Sequence, residues 1–229
     1  MREVYERRWS PRLKDRVYRL LKPPDPFVMN PAEAIDAPLG RWNLYIGGAG
    51  SHPEGYVNID LIAFEGVDAL ANAEFLPFPD NMFQRVECDA VLEHLRHPRR
   101  VVREIERVLK PGGFAHIVTP FCHPFHEYPR DYWRFTLDGL QEMAGDLSVV
   151  STGWRTGPTA TLLLFGLEYV KLWMPWRAWR MAAHGVLGWL LFPLRYLDLI
   201  LFRFPRAGQI GNNGYVWLRK TCGPAQSLE

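Results

Sequence analysis

The sequence is poor in cysteine, with 3 in 229 residues. The number is odd, and the three positions, Cys88, Cys122 and Cys222, show no paired spacing. This argues against a disulfide framework and favours a reducing compartment. Residues 1–22 also lack the continuous apolar core of a secretory signal, so we expect a cytoplasmic protein.

An excess of one sign of charge is absent as well. The 27 lysines and arginines nearly balance the 25 aspartates and glutamates, for a net charge of +2. Such a balance gives no general attraction to nucleic acid, which is therefore not an expected partner. Residues 1–22 nevertheless hold eight bases against three acids. We predict a basic helical arm over residues 1–30, where a solvated helix face is favoured over a binding device.

Uninterrupted apolar runs long enough to cross a bilayer are missing too, since a spanning helix needs about 20 apolar residues. Residues 158–204 hold two apolar stretches, at 159–175 and 181–204, that charged residues interrupt: Glu168, Lys171, Arg195 and Asp198. The prediction is a helical insertion that acts as a lid, a dimer seam or a membrane-interface element. Its tryptophans beside arginines suit a peripheral contact with the inner face of a membrane. Packing on protein, including a homodimer, is the favoured alternative.

Short apolar runs between turn residues predict seven strands, at 42–47, 56–61, 67–71, 85–91, 113–119, 147–153 and 213–220. Residues 98–110 predict a helix that begins at Pro98 and stops at the Pro-Gly-Gly of 111–113. About nine residues separate the first two strands, which is too few for a helical crossover. The first helix is therefore expected to be reduced to a turn.

Two features suggest a ligand at the edge of this sheet. A turn of small residues, Gly47, Gly48, Ala49 and Gly50, follows the first strand, and Asp60 ends the second. A glycine-rich turn lets backbone N–H groups approach a ligand closely, and an acidic residue at the end of the next strand can hold two ribose hydroxyls. The pattern indicates a site for a nucleoside.

Further motifs follow in a fixed order: LPFPD at 76–80, VLEH at 91–94, RVLKPGG at 107–113 and DYWRFT at 131–136. Over roughly residues 40–145 the series resembles the compact branch of the class I S-adenosylmethionine-dependent methyltransferases. The resemblance implies an α/β fold, a Rossmann-like seven-stranded sheet that is mostly parallel with an antiparallel last strand. The core would comprise 31–157 and 205–221, with the helical apolar insertion at 158–204 before the last strand.

The resemblance also implies S-adenosylmethionine as the cofactor and assigns its parts to residues. The turn formed by Gly47, Gly48, Ala49 and Gly50 would approach it, and Asp60 would accept the ribose diol. The segment Asn72, Ala73 and Glu74 falls where the family reads adenine, and Asp89 to Val91 would border the methionyl part. Ala49, Asn72 and Gln84 depart from residues that are frequent in the family.

Residues 120–136 concentrate polar and aromatic side chains after the fifth strand and form the candidate acceptor side. The candidate catalytic residues are His123, His126, Glu93, His94, Asp131 and Arg134, with His123 or His126 as a base for a hydroxyl acceptor. No metal site is predicted, because Cys122, His123 and His126 lack paired ligand spacing. The expected reaction is O-methylation of a saccharide-containing or lipid-linked small molecule. The alternative is a non-catalytic scaffold that uses the insertion as an interface, favoured by the three departures.

Overall fold

The computed structural model describes residues 22–48 and 53–221. Seven strands form one sheet in the order β3-β2-β1-β4-β5-β7-β6. Their bounds are β1 Asn43–Ile46, β2 Val57–Asp60, β3 Ala69–Leu70, β4 Phe83–Asp89, β5 Leu109–Pro120, β6 Ser148–Thr156 and β7 Asn213–Arg219. The first five pair in parallel, whereas β7 runs antiparallel to both β5 and β6. The predicted mixed sheet is confirmed, while the predicted helix at the amino terminus lies mostly outside the described residues.

Five α-helices accompany the sheet within the described part of the chain: α1 Pro98–Val108, α2 Leu137–Gln141, α3 Pro158–Leu172, α4 Arg177–Leu191 and α5 Asp198–Leu201. Short 3-10 turns lie at Pro31–Glu33, Leu92–His94, Glu142–Ala144, Phe192–Leu197 and Pro205–Ile210. Helix α1 ends two residues before the predicted limit, because Leu109 already begins β5. Between β1 and β2, the described residues form a turn at Glu54 and Gly55.

Helix α1 covers one face of the sheet. Its residues Val101, Ile105 and Val108 are fully buried against a core that includes Leu44 and Phe83. Burial of such side chains is worth about 1.5–3 kcal/mol each. The apolar face of this helix therefore belongs to the same core as the buried side chains of β1 and β4.

Arg107 joins the end of α1 to the LPFPD motif. Its guanidinium donates hydrogen bonds to the carbonyl oxygens of Phe78 (2.7 Å) and Leu76 (2.9 Å) and to Asp80 Oδ1 (2.8 Å). Glu104 completes the arrangement by accepting from the backbone N–H of Leu76 at 2.7 Å. Hydrogen bonds thus join the LPFPD motif to the RVLKPGG motif, and this contact is structural.

The chain between β6 and β7 is helical from Pro158 to Leu201 with one short break. The buried carboxylate of Asp198, at the start of α5, accepts from the N–H groups of Thr159 (2.8 Å) and Ala160 (3.1 Å) at the start of α3. A carboxylate at a helix N-terminus satisfies free N–H groups and favours the helix dipole. One side chain therefore closes this insertion at its base.

The second face of the sheet carries a buried group of charges. His116 Nδ1 lies 2.7 Å from Glu87 Oε2, its Nε2 forms an ion-pair contact with Glu33 Oε1 at 2.9 Å, and its ring stacks on Trp217. Arg85 pairs with Glu87 at 2.6 Å. Burial alone would lower the pKa of His116, but contact with Glu33 and Glu87 outweighs it and raises that pKa. Burial likewise acts to raise the pKa of Glu87, and His116 with Arg85 reverses the shift.

These directions predict a pH window for the stability that His116 provides. The contribution of His116 is present below its unfolded pKa of about 6.5 and is lost as pH rises through the higher folded-state value. The contribution of Glu87 is present above its unfolded pKa of about 4.3 and is lost as pH falls through the lower folded-state value. We expect His116→Gln to cost about 1–3 kcal/mol of unfolding free energy between these limits, and less above them.

Urea unfolding at a series of pH values measures this difference. The matched control is His97→Gln, which changes an exposed histidine before α1 whose side chain caps nothing. A cost that is equal at all pH values would show that the imidazole acts by packing alone.

Candidate functional site

The carboxyl ends of β1, β2 and β4 enclose a cavity of about 210 Å³. Its walls combine strand ends with residues from the connections that follow β2, β3, β4 and β5: Ile46, Gly47, Ile59, Asp60, Leu61, Ala71, Ala73, Asp89, Ala90, Val91, His94, Leu95, Tyr128 and Pro129. Open α/β sheets bind ligands at this edge, outside the strand ends. The cavity is mostly apolar, with two carboxylates among its lining residues.

Gly47 follows β1 at a point where only glycine fits. Its φ is +75°, and a Cβ there would lie 2.2 Å from Val91 Cγ2. Gly48 is buried next to the side chain of Asn58. The remaining members of the predicted turn, Ala49 and Gly50, lie outside the described residues. The described half of the turn therefore passes close to the cavity without side chains of its own.

Asp60 ends β2 and lines the cavity. Its Oδ1 accepts a hydrogen bond from the backbone N–H of Ile62 at 3.0 Å, which fixes the carboxylate at the strand end. Ala73 also belongs to the wall, whereas Asn72 Oδ1 accepts from the N–H of Glu74 at 2.9 Å and closes a local turn. Among the predicted adenine-side residues, Ala73 reaches the cavity, and Asn72 and Glu74 are not among its lining residues.

Asp89 lies at the end of β4, between the cavity and the charged face of the sheet. Arg155 Nη1 on β6 donates to its Oδ2 at 2.7 Å. Burial raises the pKa of Asp89 in spite of this arginine. The Arg155 pairing was missed from the sequence, because 66 residues separate the partners and only the sheet brings them together.

The VLEH motif and the DYWRFT loop form one unit. The backbone carbonyl of Glu93 accepts from the N–H groups of Tyr132 (2.7 Å) and Trp133 (3.3 Å). The indole of Trp133 donates to the carbonyl of Leu95 at 2.9 Å. Phe135 is buried in the core, so the aromatic residues of this loop also anchor it. The predicted acceptor loop is therefore attached to the end of β4 by backbone contacts.

Three imidazoles lie in succession beside the cavity. The ring of His94, in the cavity wall, is 5.0 Å from that of His126, which is 4.9 Å from that of His123. Burial lowers the pKa of His123, whose Nδ1 lies 3.0 Å from Asn212 Oδ1. The pKa of His126 is raised, chiefly by Glu93.

Asp131 and Arg134 form an ion pair within the acceptor loop. The guanidinium grips both oxygens of the buried carboxylate, with Nη2 to Oδ2 at 2.6 Å, and Oδ2 also accepts from the N–H of His126 at 2.9 Å. Burial acts to raise the pKa of Asp131, but Arg134 outweighs it and holds that pKa at about 2. The pair positions the segment that carries His126, and neither residue is among those lining the cavity.

The ligand atoms of Glu93, His94 and His126 lie within 4.8 Å of one another. The side chain of Glu93 is fully buried, and His94 is half-buried in the cavity wall. Sequence spacing did not indicate this group, since His126 is 32 residues from His94. Tyr128 and Pro129 are further cavity residues that were not singled out, although they belong to the aromatic loop.

Residues 59–117 match the family described as "Methyltransferase domain", over about a quarter of the chain. The match and the sheet order support the class of protein that the motif series predicts, a methyltransferase with a Rossmann-like fold. The match ends before the loop at 120–136, so it does not describe the acceptor side.

Two curated relatives cover parts of the chain. YafE of Escherichia coli is 33% identical over 108 residues, which are 47% of this chain and 51% of YafE. The ubiquinone/menaquinone biosynthesis C-methyltransferase UbiE of Neisseria meningitidis is 49% identical over 75 residues, 30% of this chain and 29% of the relative. The chain thus spans about half the length of YafE and under a third of UbiE.

Two solved structures share the fold at low identity. The [4+2]-cyclase SpnF has a TM-score of 0.56 at 18% identity and covers 91% of this chain and 82% of its own. A Haemonchus contortus phosphoethanolamine N-methyltransferase 2, solved with S-adenosyl-L-methionine, has a TM-score of 0.50 at 16% identity. The match covers 80% of this chain and 49% of the Haemonchus chain. One fold therefore serves at least two kinds of reaction, so the reaction of this chain must be argued from its site.

The close approach at Gly47 yields a stability prediction. Gly47→Ala combines a left-handed backbone with the overlap on Val91, whereas Gly55→Ala has a φ of +83° and meets only Leu39 Cδ1, at 3.8 Å. We expect Gly55→Ala to lower the unfolding free energy by about 1–2 kcal/mol. Gly47→Ala should cost at least about 1 kcal/mol more, because overpacking adds to the strain. Equal losses in chemical unfolding would contradict a close approach at Gly47.

Proposed function

We propose that the protein is an S-adenosylmethionine-dependent methyltransferase. The observation that carries the proposal is that Gly47, Asp60 and Asp89, from three adjacent strand ends, line one cavity. Its residues fit this cofactor: the glycine turn allows a close approach, the Asp60 carboxylate suits a ribose diol, and Ala73 leaves room for a flat base. S-adenosylmethionine, when bound, supplies a methyl group activated by a sulfonium.

The protein's contribution is alignment and exclusion of water, because methyl transfer is an in-line displacement. We infer that Asp60 orients the cofactor and that Asp89 to Val91 border its methionyl end. His94, Tyr128 and Pro129 then form the wall from which an acceptor would approach. His123 or His126 would remove the proton of a hydroxyl acceptor, an effect of about a hundredfold to ten-thousandfold where such a base is used.

The proposed acceptor is an oxygen of a lipid-linked or saccharide-containing small molecule. The insertion supports the lipid-linked form. Trp173, Trp176 and Trp179 are exposed at the junction of α3 and α4, and exposed arginines lie among them at Arg177 and Arg180. Trp and Arg together suit the boundary between water and lipid headgroups. A quinone ring is the second candidate acceptor, favoured by the names of the UbiE relatives, and it would be methylated on carbon.

The segment Arg177–Leu201 is 25 residues long, and by length and composition alone it could cross a membrane. Its attachment to the rest of the protein at two buried residues argues for contact with the surface instead. Asp198 binds the start of α3, and Gly188 packs on Pro23. Six bases face two acids between 158 and 210, and one of those acids is the buried Asp198. The excess of positive charge fits an anionic lipid surface.

Calorimetric titration with S-adenosylmethionine and, separately, S-adenosylhomocysteine tests the cofactor. We expect binding that Asp60→Ala weakens at least about tenfold, because one charge-assisted hydrogen bond is worth about 1.5 kcal/mol or more. Asp146→Ala, an exposed aspartate before β6, is the matched control and should bind as the wild type does. A wild-type chain that binds neither compound would overturn the proposal and favour the scaffold alternative.

Sedimentation with lipid vesicles tests the membrane contact. We expect the chain to bind vesicles that contain anionic phospholipid, and to bind purely zwitterionic vesicles more weakly. The double variant Trp176→Ser/Trp179→Ser should lower this affinity about tenfold or more, because burial of one large apolar side chain is worth about 1.5–3 kcal/mol. Trp42→Ser removes an exposed tryptophan outside the insertion and is the control. The result would instead assign this face to a dimer interface if the wild-type chain does not bind vesicles and forms a dimer that the double variant does not form.

A further inference from the structure

We propose that Glu93, His94 and His126 form a binding site for a divalent cation of the zinc class, beside the proposed cofactor cavity. Glu93 carries the argument, because its side chain has no exposed surface and neither carboxylate oxygen takes part in a hydrogen bond within the described chain. An ionised carboxylate buried in this way is costly unless a cation compensates it.

The two histidines direct their Nε2 atoms to this carboxylate. His94 Nε2 lies 3.6 Å and His126 Nε2 lies 3.8 Å from Glu93 Oε1. Hydrogen bonds from a charged imidazole to a carboxylate are about 2.7–2.9 Å long, so neither contact is one. Ligand atoms around a four-coordinate zinc lie about 3.4 Å apart, given metal–ligand bonds of about 2.1 Å. The two distances to Glu93 Oε1 are close to this ligand spacing.

The partners of the other ring nitrogens fix the tautomers. His94 Nδ1 lies 2.5 Å from the carbonyl oxygen of Arg130, and His126 Nδ1 lies 3.3 Å from that of Pro124 and 3.5 Å from Asp131 Oδ2. All three oxygens can only accept, so both Nδ1 atoms carry the proton. In the neutral rings, both Nε2 lone pairs then face the Glu93 carboxylate with no donor between them.

This arrangement is the one that histidine ligands usually have. A ligating histidine binds metal through one nitrogen and donates its other N–H to a carbonyl or carboxylate that holds the ring. Arg134 in turn holds Asp131 through both carboxylate oxygens. The ion pair in the acceptor loop therefore acquires a role as the support of a metal ligand.

Two histidines and one carboxylate leave coordination positions open, as in catalytic rather than structural zinc sites. His94 also lines the cavity, so an oxygen of the acceptor could occupy one of these positions, a role that rests on the proposed function. With His126 as a ligand, the role of base falls to His123 or is replaced by the effect of the cation on a bound hydroxyl. Cation binding itself does not depend on the methyltransferase proposal.

The test uses the full chain stripped of metal with a chelator. Zinc chloride is titrated calorimetrically, and cobalt chloride is added while the visible absorption is recorded, because cobalt(II) bands report its ligand geometry. We expect one equivalent of either ion per chain. Glu93→Gln and His126→Asn should each weaken zinc binding at least about tenfold, because loss of a residue that only hydrogen-bonds to a metal ligand already costs about that much. His123→Asn, the adjacent imidazole outside the cluster, should bind as the wild type does.

Thermal melts of the variants establish that each is folded. If Glu93→Gln does not fold, His126→Asn still tests the site, because His126 is half-exposed and its replacement disturbs the core less. Absence of zinc heat and of cobalt bands in the wild type would overturn the site. Wild-type affinity in both Glu93→Gln and His126→Asn, or a loss in His123→Asn as large as theirs, would overturn the ligand assignment. A chain that binds S-adenosylmethionine but not zinc would refute this inference alone. A chain that binds zinc but not S-adenosylmethionine would refute the proposed function alone.

Discussion

Parallel pairing of β1, β2 and β4 is the constraint on which the site depends. Because these strands run in the same direction, their last residues meet at one edge, and the turn after each strand opens towards the same space. Gly47, Asp60 and Asp89 are far apart in sequence and reach one cavity only for this reason. Buried side chains of α1, β1 and β4 share one core, so the strands that form this edge are also part of the centre of the protein.

The proposed acceptor side is joined to this edge by backbone contacts. The carbonyl of Glu93 receives two N–H groups from the DYWRFT loop, which brings that loop against the end of β4. The side chain of Glu93 faces the imidazoles of His94 and His126. The VLEH and DYWRFT motifs are thus one structural element in two pieces of sequence, just as LPFPD and RVLKPGG are another through Arg107.

The sequence predicted the sheet, the helix at 98–110 and the strand-end positions of Gly47, Asp60 and Asp89, because strand periodicity and turn residues are local signals. The assigned roles of these residues remain proposals. The cluster of Glu93, His94 and His126 and the pairing of Asp89 with Arg155 could not be predicted, since each depends on contacts across the fold. Asn72 illustrates a different limit, because its side chain is engaged in a local turn that a family resemblance does not reveal.

The Asp198 carboxylate binds the first turn of α3 from the start of α5, so the chain between them leaves the domain and returns at nearly one point. Such a hairpin can gain, lose or exchange residues without any change in the order or register of the strands. Evolution can therefore alter this one excursion, and with it the surface that the protein presents, while the strand ends that carry Gly47, Asp60 and Asp89 keep their order.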